Sequence, residues 1–481
     1  MLENIQPAAL WRHFEQLNAI PRASKKEQRV IEFMRNFGNS LHLSTTVDEA
    51  GNVMIKKPAT PGLEDRPVIC LQSHLDMVHQ KNAGTQFDFE KEGIKMLVDG
   101  DWVRARGTTL GADNGIGVAA IMSVLSSKEI AHPAIEALFT IDEETGMTGA
   151  MALKGGLLKA KYLLNLDTED DHELTIGCAG GIDVTATRPY DSEPVPDEHS
   201  AYAIKVSGLT GGHSGMDIHL GRGNANKLLN RLLATAQDRY NVRLCSFDGG
   251  SLRNAIPREA TADVLVPCAS EDDFRNFVDE YKEVIKEEYR TTDPQLTVSV
   301  ERIAMPGSVI NSDFQEELLR CMYACPNGIY RMSPDIDQLV QSSNNLARVL
   351  VKDGTLTVMC LTRSSVDSEK MDLANAVRSS FELCNASVSL TGAYPGWTPK
   401  LQSEIVRQME TLYKNMYGNE AHVNAVHAGL ECGILGTNYP ATQMISFGPN
   451  IRGAHSPDEC VQISSVQKFW QYLLEALLHL Q

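Results

Sequence analysis

The chain of 481 residues lacks a cysteine framework: its 10 cysteines stand singly. The closest pair, Cys321 and Cys325, has helical spacing rather than that of a metal knuckle. A zinc ribbon or a disulfide scaffold is therefore not expected, and reduced thiols in a cytoplasmic chain are. The chain also lacks an apolar run of the ~20 residues that a membrane-spanning helix needs. Its opening, Met1-Leu2-Glu3-Asn4-Ile5-Gln6, has no basic stretch leading into an apolar one, so no secretory leader is expected. Positive charge is in deficit: 44 Lys and Arg face 62 Asp and Glu, a net charge of −18. That balance argues against nucleic acid or an anionic membrane as a partner. Low-complexity segments and long linkers are missing too.

What remains is a globular composition, 42% hydrophobic and 22% charged. The length exceeds what one core supports, so two domains are expected. Ser24-Lys25-Lys26-Glu27 has the form of a capping box at the start of a helix. Residues 68–71 read as a buried strand, and His74 and Asp76 follow directly. In open α/β sheets ligands bind beyond the carboxyl ends of the strands. A neutral imidazole there can hold a transition metal, and a carboxylate two residues on can accept its other N–H. A single histidine at a strand end is more often structural, but the pattern recurs.

Gly111-Ala112-Asp113-Asn114-Gly115-Ile116-Gly117 opens a buried helix, and its glycines allow a tight turn around Asp113. A phosphate loop is excluded: there is no Gly-Lys-Ser/Thr ending, and an aspartate stands where a phosphate would be repelled. Residues 134–141 form a second apolar strand that ends in Asp142-Glu143-Glu144-Thr145-Gly146. Three successive acids repel one another unless a cation lies among them; otherwise they form a solvated loop. A third strand, residues 162–166, ends at Asp167, and Gly177-Cys178-Ala179-Gly180-Gly181 reads as a hinge.

From about residue 194 the pattern changes to strands and helices without ligand-bearing strand ends, including a hairpin signal at Asp353-Gly354. The chain then returns through a strand that reaches His427, a helix opened by Glu431, and a strand whose exit loop holds His455. The expected fold class is α/β: a catalytic domain, residues 1–187 and 395–481, with a mixed, mostly parallel sheet flanked by helices. An α+β lid domain, residues 188–394, is inserted into it.

The strand ends collect His74, Asp113, Glu143, Glu144, Asp167 and His455. Two histidines with carboxylates suit Zn²⁺, with Mn²⁺ or Co²⁺ as alternatives. The set exceeds the three ligands plus water of a single catalytic zinc. It fits two metals sharing one carboxylate, with one acid left over as a general base. Two metals roughly 3.5–4 Å apart can clamp a water and polarise a carbonyl, so the residues point to a hydrolase of amide-like bonds.

In order and type, His74-Leu75-Asp76, Gly111-Ala112-Asp113-Asn114-Gly115, Asp142-Glu143-Glu144-Thr145-Gly146, Asp167 and Gly453-Ala454-His455-Ser456 resemble the motifs of the dinuclear zinc peptidase family that includes carboxypeptidase G, aminoacylase and carnosinase. Within it the chain is similar to the bacterial branch of Xaa-His dipeptidases. That likeness rests on the 177–181 glycine run, Gly211-Gly212-His213-Ser214-Gly215, Gly221-Arg222-Gly223-Asn224-Ala225-Asn226, Leu252-Arg253-Asn254-Ala255-Ile256-Pro257-Arg258 and His427-Ala428-Gly429-Leu430-Glu431, and it extends over nearly the whole chain.

The resemblance implies two divalent metal ions, with Asp113 bridging, His74 and Asp167 completing one site, and Glu144 and His455 the other. It implies that Asp76 orients His74 and that Glu143 is the general base toward a metal-bridging water. His213 would be a lid histidine for the tetrahedral oxyanion, and Asn254 and Arg363 substrate-binding residues, with Arg363 suited to a terminal carboxylate. Read without the family, His213 is a surface-loop histidine, and Arg363 fits a salt bridge inside the lid equally well. The implied partners are a small peptide and a second copy of the chain, forming a homodimer. Rival readings are an N-acyl amino acid deacylase or tripeptidase of the same family, and a metal-binding protein that has lost catalysis. The complete ligand set together with Glu143 stands against the last. For Glu431 and His427, a cap or supporting role is as fitting as substrate contact. His79, His132, His219 and His422 carry no partner pattern.

Overall fold

The computed structural model describes Leu2 and residues 4–481. The chain divides into two compact units, one of residues 1–177, 397–425 and 430–481, the other of residues 178–396 and 426–429. The first crossing lies earlier than the boundary expected after residue 187. The strand Gly180–Pro189 pairs along its length with Thr355–Ser364 and so belongs entirely to the second unit.

The first unit is built on an eight-stranded sheet. Its spatial order is Ser44–Val47, Val53–Lys57, Ile135–Thr140, Ile69–His74, Tyr162–Asn165, Gln443–Ser446, Glu173–Cys178 and His422–Val426. Pairing is parallel among the four central strands and antiparallel in the hairpin at one edge, so the sheet is mixed. The central strands are apolar and buried on both faces, which explains their near-continuous hydrophobic runs. One face packs Cys70, Leu138 and Leu163 against Ala150 of the helix Thr148–Ala152, Leu153 just past its end, and Ile434 and Leu435 of the helix Glu431–Asn438. On the other the helix Ala112–Ser126 lies against Ile69–His74, with Ala8–Asn18 behind it. Leu71 and Leu138 are fully buried, and each such side chain contributes roughly 2 kcal/mol. The parallel register brings His74 opposite Thr140 and Gln72 opposite Asn165, so the loops that follow all leave from one edge.

A second, four-stranded sheet of Ile451–Arg452, Cys460–Gln462, Trp102–Ala105 and Met96–Asp99 sets the loop of residues 453–459 beside the early part of the chain. The pairs Cys460 with Arg104 and Val461 with Val103 fix that register.

The second unit is a nine-stranded sheet in which all the described pairings are antiparallel. The helices Ala225–Tyr240, Glu271–Glu288, Ser312–Ala324 and Asp367–Glu382 contribute Leu229, Leu232, Phe274, Ile285, Leu318, Val377 and Phe381 to its core. The hairpin Val340–Lys352 to Thr355–Ser364 turns on Asp353 (φ 50) and Gly354 (φ 75), the left-handed pair a tight two-residue turn requires. The 177–181 glycines sit where the chain passes between the units, and they serve close packing. A Cβ on Gly180 would lie 2.5 Å from the Tyr394 carbonyl oxygen.

Candidate metal centre

Gly111 has φ 72, and a Cβ there would lie 2.5 Å from Arg22 Nη2, so both the turn and the packing demand glycine. The helix that follows departs from helical dihedrals at Asp113 (φ −80, ψ 110) and Asn114. Its first N–H groups have no intrahelical acceptors, and the buried Glu459 supplies them. Glu459 Oε2 accepts the N–H of Leu110 at 2.6 Å and of Gly111 at 2.9 Å. Its Oε1 accepts those of Ala112 at 2.7 Å and Asp113 at 3.3 Å.

Asp113 presents its two oxygens to two histidines. His74 Nε2 lies 3.1 Å from Oδ1, and His455 Nε2 lies 3.1 Å from Oδ2. Each histidine has its own second acid: Asp167 Oδ1 is 3.4 Å from His74 Nε2, and Glu144 Oε2 is 2.9 Å from His455 Nε2. Asn114 Nδ2 donates to Asp167. Burial works against the Asp113 charge, but the two imidazoles outweigh it and hold its carboxyl below the usual range. Burial likewise opposes the His74 charge; Asp167, Asp113 and Asp76 overcome it and raise its pKa. Hydrogen bonds to Asp113 and Glu144 raise His455 to about 11. Burial raises the Glu144 carboxyl, and its Oε1 is buried without a hydrogen-bond partner.

The loop of acids is anchored by Asp76. Its carboxylate accepts the N–H of Glu143 at 3.1 Å and of Glu144 at 3.2 Å, and faces His74 Nδ1 at 3.4 Å. Ser24 Oγ donates to Asp76 Oδ2 at 2.7 Å. Ser24 is therefore not a helix cap: the helix is Gln28–Ser40, and its N-cap residue, Glu27, makes no side-chain cap bond. Glu27 instead accepts the N–H of Asp142 at 3.1 Å. Arg22 is fully buried and donates to the carbonyls of Leu75, Asp76 and Gly111, joining the His74 and Asp113 loops. Burial lowers its pKa to about 10. Burial, with Asp167, Glu431 and Glu144 nearby, raises the Glu143 carboxyl well above its ordinary value, although His74 opposes the shift. Glu431 does not cap its helix. Its Oε2 accepts from Gln72 Nε2 at 2.7 Å and Thr140 Oγ1 at 2.6 Å, tying together the strands that lead to His74 and Glu143.

In the second unit, His213 and Asn254 meet: His213 pairs with Ala255, and the Asn254 carbonyl accepts the Ser214 N–H at 2.7 Å. His213 Nδ1 accepts from the N–H of Gly215 at 3.2 Å and of Met216 at 3.0 Å, which assigns the ring proton to Nε2. Arg363 is buried, donates Nη1 to Tyr394 Oη at 2.8 Å, and forms no ion pair among the described residues. Its Nε is buried without an acceptor. His427 Nε2 lies 2.7 Å from Ser343 Oγ, and burial, with Arg363, His213 and His219 nearby, lowers it to about 3.

Sequence reasoning missed Glu459, Arg22 and Glu169. Glu459 was visible only as one acid of an exit loop, and Arg22 as one cation after a helix. Glu169, two residues after Asp167, has its backbone carbonyl bonded by the Ile451 N–H at 3.1 Å and by Arg452 Nη1 at 2.8 Å. Burial and the charges of Asp113 and Asp167 raise its carboxyl to about 8.

The residues fit divalent cations. Three carboxylates and two imidazoles converge, ligand atoms of His74, Asp113 and Glu144 lie within 4.8 Å of one another, and a buried Glu144 oxygen has no partner.

The family described as peptidase family M20/M25/M40 matches residues 70–479. The chain is 40% identical over 476 residues to the cytosol non-specific dipeptidase of Escherichia coli (strain K12), covering 99% of this chain and 98% of that one. It is similar to the crystal structure of aminoacylhistidine dipeptidase from Vibrio alginolyticus, with 42% identity and a TM-score of 0.93 over 100% of this chain and 98% of that one. An aminopeptidase from Bacillus cereus, 14% identical, shares the fold with a TM-score of 0.57 over 99% of each chain.

Proposed function

The chain belongs to peptidase family M20/M25/M40, a family of metal-dependent peptide-bond hydrolases, and from that premise we propose that it is a dipeptidase whose substrates include Xaa-His dipeptides. The observation that carries the reading is the arrangement around Asp113, whose two oxygens face separate histidines, each with its own second acid.

Asp113 would bridge two Zn²⁺ ions, with His74 and Asp167 on one and Glu144 and His455 on the other; Co²⁺ or Mn²⁺ suits the same donors. When bound, such ions polarise a carbonyl and lower the pKa of water. Asp76 holds His74 and the N–H groups of Glu143 and Glu144. Glu143 takes the proton of the attacking water and passes it to the leaving amine, a task suited to a carboxyl of raised pKa. In the second unit, a His213 proton on Nε2 suits donation to the oxyanion, Asn254 would hydrogen-bond the substrate, and Arg363 would hold its terminal carboxylate in a bidentate pair. A carboxylate anchor of that kind favours dipeptides over longer peptides. We also propose a homodimer and a cytoplasmic location, on the family resemblance and the relative's cytosolic description. No described helix is long and apolar enough to cross a membrane.

The test is amino-acid release from β-alanyl-His and Gly-His by the protein as isolated, after chelation, and after adding back Zn²⁺, Mn²⁺ or Co²⁺. Cleavage that chelation removes and metal restores is the expected result. Folded, metal-loaded protein that cleaves neither dipeptide would overturn the Xaa-His assignment and turn attention to N-acyl amino acids and tripeptides.

A further inference from the structure

His422 carries no partner pattern in the sequence, yet the fold gives it one. Glu173 opens the strand Glu173–Cys178, and His422 opens His422–Val426, the neighbouring strand at one edge of the eight-stranded sheet. The His422 N–H donates to the His172 carbonyl at 2.8 Å, so the backbone fixes where the three side chains leave the chain. His422 Nδ1 lies 3.3 Å from Glu173 Oε1, across 249 positions of sequence. The imidazoles of His172 and His422 are nearly parallel, with centroids 6.1 Å apart and planes inclined by 17°. One ligand atom from each of His172, Glu173 and His422 falls within 4.8 Å of the other two.

Two imidazoles and a carboxylate form the donor set of a borderline divalent ion such as Zn²⁺, whereas Ca²⁺ and Mg²⁺ take oxygen. Donors on one zinc stand about 2.0–2.2 Å from it, hence roughly 3.3–3.6 Å from one another. Closing from 4.8 Å to that spacing takes a movement of about 1 Å, which exposed side chains can make. The two histidine side chains are 54% and 59% exposed, so an ion reaches them directly from solvent. No fixed cation competes for the site: Glu173 pairs with no lysine or arginine among the described residues, while Arg452 is taken by Asp170 and Lys468 by Asp171. Asp170 in turn meets His172 Nδ1, as Asp76 meets His74 Nδ1. A carboxylate there keeps that nitrogen protonated and leaves the other with its lone pair for an ion.

We propose that His172, Glu173 and His422 form a further metal site that takes one zinc-like ion and ties the edge strand His422–Val426 to its neighbour. No residue is shared with the proposed catalytic centre, so the site stands whether or not the protein is a dipeptidase.

The experiment dialyses full-length wild type, His172→Asn, His422→Asn and Glu173→Gln to equilibrium against a graded series of Zn²⁺ concentrations, with bound zinc measured by atomic emission. His479→Asn is the control, because His479 is exposed and lies 3.1 Å from Glu475 but belongs to no three-ligand group among the described residues. Wild type and His479→Asn should bind one equivalent more than either histidine variant, and Glu173→Gln should fill that equivalent only at higher zinc. The thermal midpoint of wild type should rise as this equivalent binds, and those of the two histidine variants should not. Hydrolysis of Gly-His at saturating metal should be the same in all the proteins. Equal zinc in wild type and both histidine variants would overturn the site. Loss of the equivalent in His479→Asn would overturn it too, reducing it to general binding by surface histidines. So would loss of more than one equivalent, or of Gly-His hydrolysis, in the histidine variants, which would assign these residues to the support of the catalytic centre. Wild type that is inactive on Gly-His would overturn the dipeptidase reading and leave the zinc count to decide this one.

Discussion

Asp76 Oδ1 accepts the backbone N–H of Glu143 at 3.1 Å. The carboxylate that faces His74 Nδ1 therefore also fixes the start of the loop that carries Glu143, the proposed base. Its other oxygen serves Glu144 and Ser24, so the two sides of the metal centre share one buried anchor. Asp76→Ala should lower metal affinity by about 10–100-fold, as loss of a histidine's supporting carboxylate does elsewhere. It should lower kcat as well, because the Glu143 N–H loses its acceptor. Competition titration against a chelating dye and kinetics at saturating metal check both effects. Wild-type affinity together with wild-type kcat would remove Asp76 from this role.

Glu143 yields a prediction in pH. A general base works ionised, and burial raises this carboxyl above its ordinary value of 4.5. Activity should therefore rise with pH through the Glu143 pKa, so the acidic limb of kcat/KM lies above the range of an exposed glutamate. Bound cations pull the limb back toward that range. Glu143→Gln should lower kcat by roughly 10²–10⁴ with metal content intact, and its residual rate should lack that limb. A Gln variant that kept the same limb would assign it to another group.

Glu459 is 2% exposed and holds the N–H groups of four successive residues ending at Asp113. Glu459→Ala leaves buried donors unsatisfied, at about 1–3 kcal/mol each where water cannot reach them. We expect a clear drop in the thermal midpoint and weaker metal binding, because Asp113 is no longer held. Glu459→Gln keeps one carbonyl acceptor and should fall between. Calorimetry with a zinc titration on the three proteins reads this order, and a stable Ala variant with full metal affinity would contradict it.

Some of the proposed ligands were legible for a physical reason: they stand just past an apolar strand, where a polar residue of that kind has no packing role. His74 after residues 68–71 and Asp167 after residues 162–166 show it most plainly. The supports were not legible. Arg22 reaches Gly111, and Glu459 reaches Leu110, through folding alone, and no local pattern records so long a separation in sequence. Ser24 was misread because its spacing to Glu27 matches a capping box while its hydroxyl is taken by Asp76. The same limit applies to the sheet. The strands could be read from their hydrophobicity, but the placement of Gln443–Ser446 beside Tyr162–Asn165 could not.

His427 supplies a prediction for stability. It is buried, Ser343 Oγ lies 2.7 Å from Nε2, and burial, with Arg363, His213 and His219 nearby, lowers its pKa to about 3. The unfolded chain's histidine titrates near 6.5, so between pH 6.5 and about 3 the unfolded state binds the proton and the native state does not. Stability is then lost as pH falls through 6.5, by at most about 1.4 kcal/mol per pH unit from this group. His427→Gln keeps a polar partner for Ser343 but cannot take the proton. Its unfolding midpoint should fall less than that of wild type between pH 7 and pH 4.5. The carboxylates of the metal centre titrate in both proteins, so the difference between the two curves isolates His427. Parallel curves would mean that the imidazole is protonated in the folded chain, and that Arg363 and burial do not hold it neutral.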